Sequence, residues 1–327
     1  MLQEQATMLI KKSVAPSTEK KYSGCTKKFE RFCCQLHLNP FPPSEQSLIL
    51  FATSLSAEIS HKNISCHIAA IKYQSQVLGH TLDMTSFCRL YRLLRGIKRT
   101  QGKKFKKPPR IPITPTLLLL LGQNLWNSSF HFEDKAMLWA TMLLAFYGFL
   151  RVSEYTSPYV SSYNPATTLC YQDISIISSS EVSVHIKASK TDPFRSGMHI
   201  SIHANHSPLC PVHAIIKYIN QHTNKAGPLF MWHNGRFLTR SGLATVLHRI
   251  KPTHIKNMSS HSFRIGAAST AAAAGHPRWL IQSLGRWSSN CYKDYIRVPP
   301  TTLAHVSQSL SSLSISTCPL FDPDNLS

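Results

Sequence analysis

The 327-residue sequence predicts a mainly α-helical protein of two domains, with a small antiparallel β-sheet in the second. Three observations lead there. Apolar residues recur every three to four positions over most of the chain, the period of a helix packed along one face. Between residues 171 and 203 that period gives way to short β-rich runs bounded by turn formers. Residues 98–110, KRTQGKKFKKPPR, hold seven basic residues, no acid and the breakers Gly102, Pro108 and Pro109, so they read as a linker. With 43% hydrophobic residues, the chain has apolar material for two packed cores.

Charge narrows the functional class. Lys and Arg total 36 against 15 Asp and Glu, a net charge of +21. Such an excess implies a polyanionic partner, nucleic acid first and an anionic membrane surface second. A membrane-spanning helix needs about 20 consecutive apolar residues, and no run approaches that length. The opening MLQEQATMLIKK lacks a signal-peptide core and cleavage site. The nine cysteines are irregularly spaced with no CxxC pair, which suits reduced thiols of an intracellular protein and not structural zinc.

Residues 1–100 are expected to form a helical DNA-binding domain, and 101–112 a basic linker. Ser17–Leu36 sets Tyr22, Cys25, Phe29 and Phe32, with Cys33, on one face. Pro42-Pro43-Ser44-Glu45 stops the chain and caps QSLILFATSL. His61–Leu78 carries Ile64, Ile68, Ile71 and Val77 and ends at Gly79. Met84–Ile97 sets Phe87, Leu90, Leu93 and Leu94 against Arg89, Arg92, Arg95 and Lys98. Residues 1–110 hold 19 basic side chains against six acids, so their faces are expected to follow a phosphate backbone. Lys98, Arg99, Lys103, Lys104, Lys106, Lys107 and Arg110 would run beside the duplex without sequence preference. The same run also fits a nuclear localisation signal.

In the C-terminal part, Thr114-Pro115 opens the helix of TLLLLLGQNLW. Phe132–Leu150 is a second apolar helix that delivers the chain to Arg151-Val152-Ser153-Glu154. YQDISII, EVSVHIKAS and MHISIHA read as three strands. LCPVHAIIKYINQ is a helix from near Pro211, with Cys210 and His213 as packing residues. FLTRSGLATVLHRI is another, opened by Thr239 or Ser241. His261 and Arg264, three apart at the start of an Ala-rich stretch, fall on one helix face. Trp287 follows, then Tyr295 in the helix-compatible SSNCYKDYIR. After Pro299 comes a Ser-rich tail, read either as a short helix around Leu303, Val306 and Leu310 or as a partly disordered end.

Cationic donors for anionic oxygens and a phenol to attack phosphorus make a set suited to a phosphodiester. LLAFYGFLRVSE, followed downstream by HSFRIGAA and LGRWSSNCYKDYIR, resembles the two conserved boxes of the tyrosine recombinases, relatives of the type IB topoisomerases. SKTDPFRSG, HSFRIGAA and LGRW look like recombinases of eukaryotic mobile elements, the DIRS/Ngaro and Crypton-type groups. The resemblance implies a core-binding bundle at 1–100, an α+β catalytic domain at 113–298 and a tail at 299–327. It implies the catalytic set Arg151, Lys190, His261, Arg264, Trp287 and Tyr295, with Glu154 as the acid that braces Arg151. In HIKASKT, Lys190 is the hairpin lysine that protonates the leaving 5′ oxygen, and Lys187 is a nearby competitor. Trp287 stands where His is usual, and its indole N–H can donate in place of imidazole.

What the resemblance implies is strand cleavage and rejoining through a 3′-phosphotyrosine, with no metal, ATP or other cofactor. Double-stranded DNA would be the partner, held by a homotetramer on synapsed sites, and the nucleus the compartment. His261 would act as acid/base, and the arginines would neutralise charge on phosphoryl oxygens. With only 15 acids and none paired near the boxes, a two-metal nuclease is disfavoured. Tyr292, three residues before Tyr295, remains an alternative nucleophile. A topoisomerase-like relaxing enzyme and a catalytically silent DNA-binding protein remain alternative functions. From charge alone, isolated residues 1–110 are expected to bind duplex DNA with an affinity that falls steeply between about 50 and 200 mM salt. Fluorescence anisotropy titrations measure that slope, and a flat one counts against phosphate contacts.

Overall fold

Caps and breakers set most element boundaries in the computed structural model, which describes residues 1–105, 108–189, 192, 196–221 and 226–297. The chain divides into two compact units, Met1–Pro108 and Pro109–Ser327. The tail from 299, Lys106, Lys107 and Lys190 lie outside the described residues.

The first unit is a bundle of α1 (Leu2–Lys11), α2 (Pro16–Gln35), α3 (Glu45–Ser56), α4 (His61–Val77) and α5 (Cys88–Gln101). Ser44 and Ser60 cap α3 and α4, their hydroxyls accepting from the Ser47 and Asn63 N–H groups. The apolar stripes meet in one core around Phe29, Phe51, Leu55, Ile64, Ile71 and Leu90. Val77 is only half-buried; Ser75 takes the inward position near the end of α4.

The fifth helix departs from the sequence expectation. Met84–Ser86 forms a separate 3-10 turn, and α5 runs from Cys88 through Gln101, so Lys98 and Arg99 are helical and not part of a linker. The cause is tertiary. Glu45 of α3 accepts from the Leu90 N–H at 3.0 Å, a cap that the local sequence does not supply. At the other end, Gln101 accepts from the His61 N–H at 2.7 Å and donates to the Ser56 and Ile59 carbonyls at 2.9 Å each. That side chain ties the last turn of α5 to the α3–α4 connection. Lys98, Arg99, Lys103 and Lys104 are exposed.

The second unit contains α6 (Pro115–Trp126), α7 (Phe132–Tyr147), the single turn α8 (Val152–Tyr155), strands β1 (Ile174–Ser178), β2 (Glu181–Ile186) and β3 (Met198–His203), then α9 (Pro211–Gln221), α10 (Arg240–Ile250), α11 (His261–Ala273) and α12 (Arg278–Leu284). The sheet is antiparallel in the order β1-β2-β3. Val182, Val184 and Ile186 alternate into the core, as the two-residue strand period requires. Helix α7 is buried along most of its length and forms the centre of this core. Thr239, not Ser241, caps α10.

Two boundaries here also differ from the sequence reading. Helix α7 stops at Tyr147, three residues early, because Phe149 adopts the left-handed conformation (φ +49°) and turns the chain sharply into Arg151. The helix expected around Tyr292 and Tyr295 is only a 3-10 turn, Asn290–Asp294, and Tyr295 follows it.

Close backbone packing anchors α11. The Ile113 N–H donates to the Ser262 carbonyl at 3.1 Å, and a Cβ on Gly266 would lie 1.9 Å from the Ile113 oxygen. Gly266→Ala is therefore expected to destabilise the chain by about 3 kcal/mol or more, through overpacking against rigid backbone. Gly24→Ala is the opposite control: a Cβ there meets nothing within 4 Å in mid-α2, and replacing helical Gly stabilises by about 0.5–1 kcal/mol. Urea unfolding of the two variants checks both signs.

Candidate active site

The left-handed turn at Phe149 leaves Arg151 as the N-cap of α8, three residues before Glu154. Glu154 is almost fully buried and accepts from the Arg151 backbone N–H and from Arg151 Nη1, both at 2.9 Å. A buried carboxylate needs such donors to offset its lost hydration. Arg151 itself is half-buried.

Arg264, one turn into α11, is completely buried, the largest side chain among the described residues to be so. Its Nη1 donates to the Phe149 carbonyl and its Nη2 to the Gly285 carbonyl. Its guanidinium carbon sits 4.3 Å from the centre of the Trp287 ring and 5.7 Å from that of Tyr295. A desolvated cation–π contact is worth on the order of 2 kcal/mol, which helps offset the burial of the charge. Gly285 is required by this packing, since a Cβ there would lie 1.7 Å from the Trp287 ring. Burial, then Arg151 and Arg286, pull the Arg264 pKa below the usual guanidinium range.

Tyr295 closes the cluster. Its ring centre lies 5.1 Å from His261 and 4.9 Å from Trp287. Ser269 of α11 holds the backbone there, donating to the Tyr295 carbonyl at 3.1 Å and accepting from the Arg297 N–H at 2.9 Å. Tyr292 is buried instead, its ring 6.3 Å from that of Trp287 on the core side. Five of the six residues singled out in the sequence thus lie in one cluster: Arg151, His261, Arg264, Trp287 and Tyr295. Lys190 falls outside the described residues. Lys187, its competitor, is engaged by Asp173 at 2.6 Å. A cleft of about 350 Å³ opens between the base of the β2–β3 hairpin and Trp287, lined by Ile186, Ser189, Met198 and Arg286.

Two donors in the cluster are buried without a hydrogen-bond partner among the described residues, Arg264 Nε and Trp287 Nε1. Buried donors are normally satisfied, so each of these two calls for an acceptor beyond the described protein atoms, a water or a ligand. Arg286, Ser269, Arg110 and Arg240 also belong to the surroundings of the site, although sequence reasoning passed over their roles there. Arg286 stands inside the quoted LGRW, but only its neighbours in space reveal what it touches.

No protein-family model and no curated protein sequence matches the chain. Solved structures do. The Tn1549 transposon integrase in complex with transposon right end DNA matches with a TM-score of 0.56 at 13% identity, over 87% of this chain and 91% of that one. The XerH site-specific recombinase bound to palindromic difH substrate, a post-cleavage complex, matches at 0.53 and 14% identity, over 87% and 76%. A lambda integrase dimer bound to a COC′ core site matches at 0.50 and 12% identity, over 90% and 76%. The chain has the tyrosine-recombinase fold.

In this tyrosine-recombinase fold, His261 titrates unusually. Burial first, and then Arg110, Arg264, Arg151 and Arg240, push its pKa down from 6.5 to about 4. It is neutral at pH 7 and able to accept a proton. Because the folded value is depressed, its contribution to stability is full above pH 6.5 and is lost as pH falls toward 4. The unfolding free energy of the wild type is expected to drop more steeply through that window than that of His261→Gln. Chemical denaturation at a series of pH values reads the difference.

Proposed function

We propose that the protein is a tyrosine recombinase that breaks and rejoins duplex DNA through a 3′-phosphotyrosine on Tyr295. One observation carries the reading: among the described residues, Arg151, Arg264 and Arg286 converge with a single carboxylate, Glu154, beside a phenol and a neutral imidazole. Desolvated cations in excess of anions are costly unless an anionic ligand balances them. A phosphodiester supplies that charge.

The step follows from the groups present. The Tyr295 phenol passes its proton to His261 and its oxygen attacks phosphorus. Arg151 and Arg264 stabilise charge on the non-bridging oxygens, the bond to the 5′ oxygen breaks, and that oxygen takes a proton. Lys190 is the proposed donor of that proton. The phosphotyrosine ester conserves the bond energy, so rejoining is the reverse attack by a 5′ hydroxyl. Synapsis as a homotetramer, action in the nucleus and a role in moving a mobile element belong to the same proposal and rest on the sequence resemblance.

Incubation with a nicked suicide duplex, followed by denaturing electrophoresis, tests the reading. Wild-type protein is expected to form a covalent adduct, Tyr295→Phe none, and Tyr292→Phe an adduct at near wild-type rate. DNA affinity should survive in both variants, because one oxygen is removed and ring packing is kept. Arg151→Ala is expected to slow adduct formation by about 10²–10³-fold. Adduct mapped to Tyr292 or to a serine overturns the assignment.

A further inference from the structure

We infer that Arg286 is a positioning residue that holds the Arg151 guanidinium available to an anionic ligand; the inference rests on the phosphodiester reading above. Arg286 is 5% exposed at its side chain and donates through Nη2 to Glu154 Oε2 at 2.8 Å. It also donates through Nη1 to the Gly148 carbonyl at 3.0 Å and to the Leu284 carbonyl at 3.3 Å, and through Nη2 to the Phe149 carbonyl at 3.2 Å. Apart from Leu284, these acceptors belong to the turn that ends at Arg151 or to the acid that braces it.

The geometry divides one carboxylate between two arginines. Oε1 accepts from Arg151 Nη1, while Oε2 accepts from Arg286 and from the Arg151 backbone. With Oε2 engaged, Arg151 holds Glu154 by a single guanidinium nitrogen. Its Nη2 and Nε make no hydrogen bond among the described residues and stay available for two phosphoryl oxygens. Without Arg286, Glu154 would keep one cationic partner, and the fork of Arg151 would close on both its oxygens, the preferred bidentate arrangement. Backbone conformation points the same way. Arg286 sits at φ +53°, the left-handed region that a non-glycine residue rarely adopts. Arginine at a strained position, where glycine would fit without cost, points to a task for its side chain.

A double-mutant cycle on the suicide duplex tests this, with adduct formation as the readout. Arg286→Gln is expected to slow the reaction about 10²-fold with DNA affinity nearly unchanged, and Arg286→Lys to restore much of the rate by keeping a cation on Oε2. In an Arg151→Ala background, Arg286→Gln should add less than about 3-fold, because its only route to phosphate is gone. Multiplicative losses would overturn the inference and make Arg286 a direct ligand of the phosphate. Loss of folding in Arg286→Gln with no rescue by Arg286→Lys would make it purely structural. If the wild type forms no adduct, the recombinase reading fails, and arginine side-chain NMR of the full chain decides the positioning role alone. There, inorganic phosphate should shift the Arg151 Nε–H resonance in the wild type and not in Arg286→Gln; equal shifts in both would refute it.

Discussion

The carbonyl oxygen of Phe149 is the point on which the site depends. It accepts from Arg264 on α11 and from Arg286 on the turn after α12, so one oxygen joins three segments distant in sequence. A carbonyl has two lone pairs, and this one uses both on guanidinium groups. The left-handed conformation of Phe149 turns that oxygen away from α7 and toward them. A bulky residue with positive φ is costly, and the two charge-assisted bonds offset the strain.

From that point the electrostatics follow. Two guanidinium groups are removed from water, which is tolerable only where carbonyls, a carboxylate and an aromatic face replace hydration. Glu154 supplies one negative charge, Gly148, Phe149 and Gly285 supply oxygens, and Trp287 supplies a π face. Among the described residues, the result is a site with more guanidinium groups than carboxylates. His261 stays neutral inside it because burial first, and then Arg110, Arg264, Arg151 and Arg240, oppose its protonation. An incoming phosphodiester would reverse that balance and make the imidazole more basic when a proton must be taken.

The two tyrosines show how packing separates residues that spacing leaves equivalent. Three apart on a helix, they would share a face. The segment instead forms one 3-10 turn, with Tyr292 pressed into the core and Tyr295 set between His261 and Trp287. Ser269 fixes this from α11 through the Tyr295 carbonyl and the Arg297 N–H. A cluster built in this way is sensitive to small changes on α11, where Gly266 already lies against the Ile113 backbone.

Much of the protein was legible in its sequence because the signals are local. Helical period, the Ser44, Ser60 and Thr239 caps and the alternation of Val182, Val184 and Ile186 are properties of neighbouring residues, and they mark out elements in both units. The cluster members Arg151, His261, Arg264, Trp287 and Tyr295 could be named from their types and order, through resemblance to a known family. What sequence left open was decided by contacts between distant residues. Glu45 and Gln101 set the ends of α5 from other helices, which no local pattern encodes. Glu154, Gly148 and Phe149, bound by Arg286, lie more than 100 residues away, and the partners of Ser269 more than 20, so their roles emerge only once the chain is folded. Lys187 was a competitor to Lys190 through the same resemblance, and only the fold shows it paired with Asp173. Sequence determines which groups are present and which local structures they favour; hydrogen bonds and desolvation across the folded core decide which of those groups remain available for chemistry.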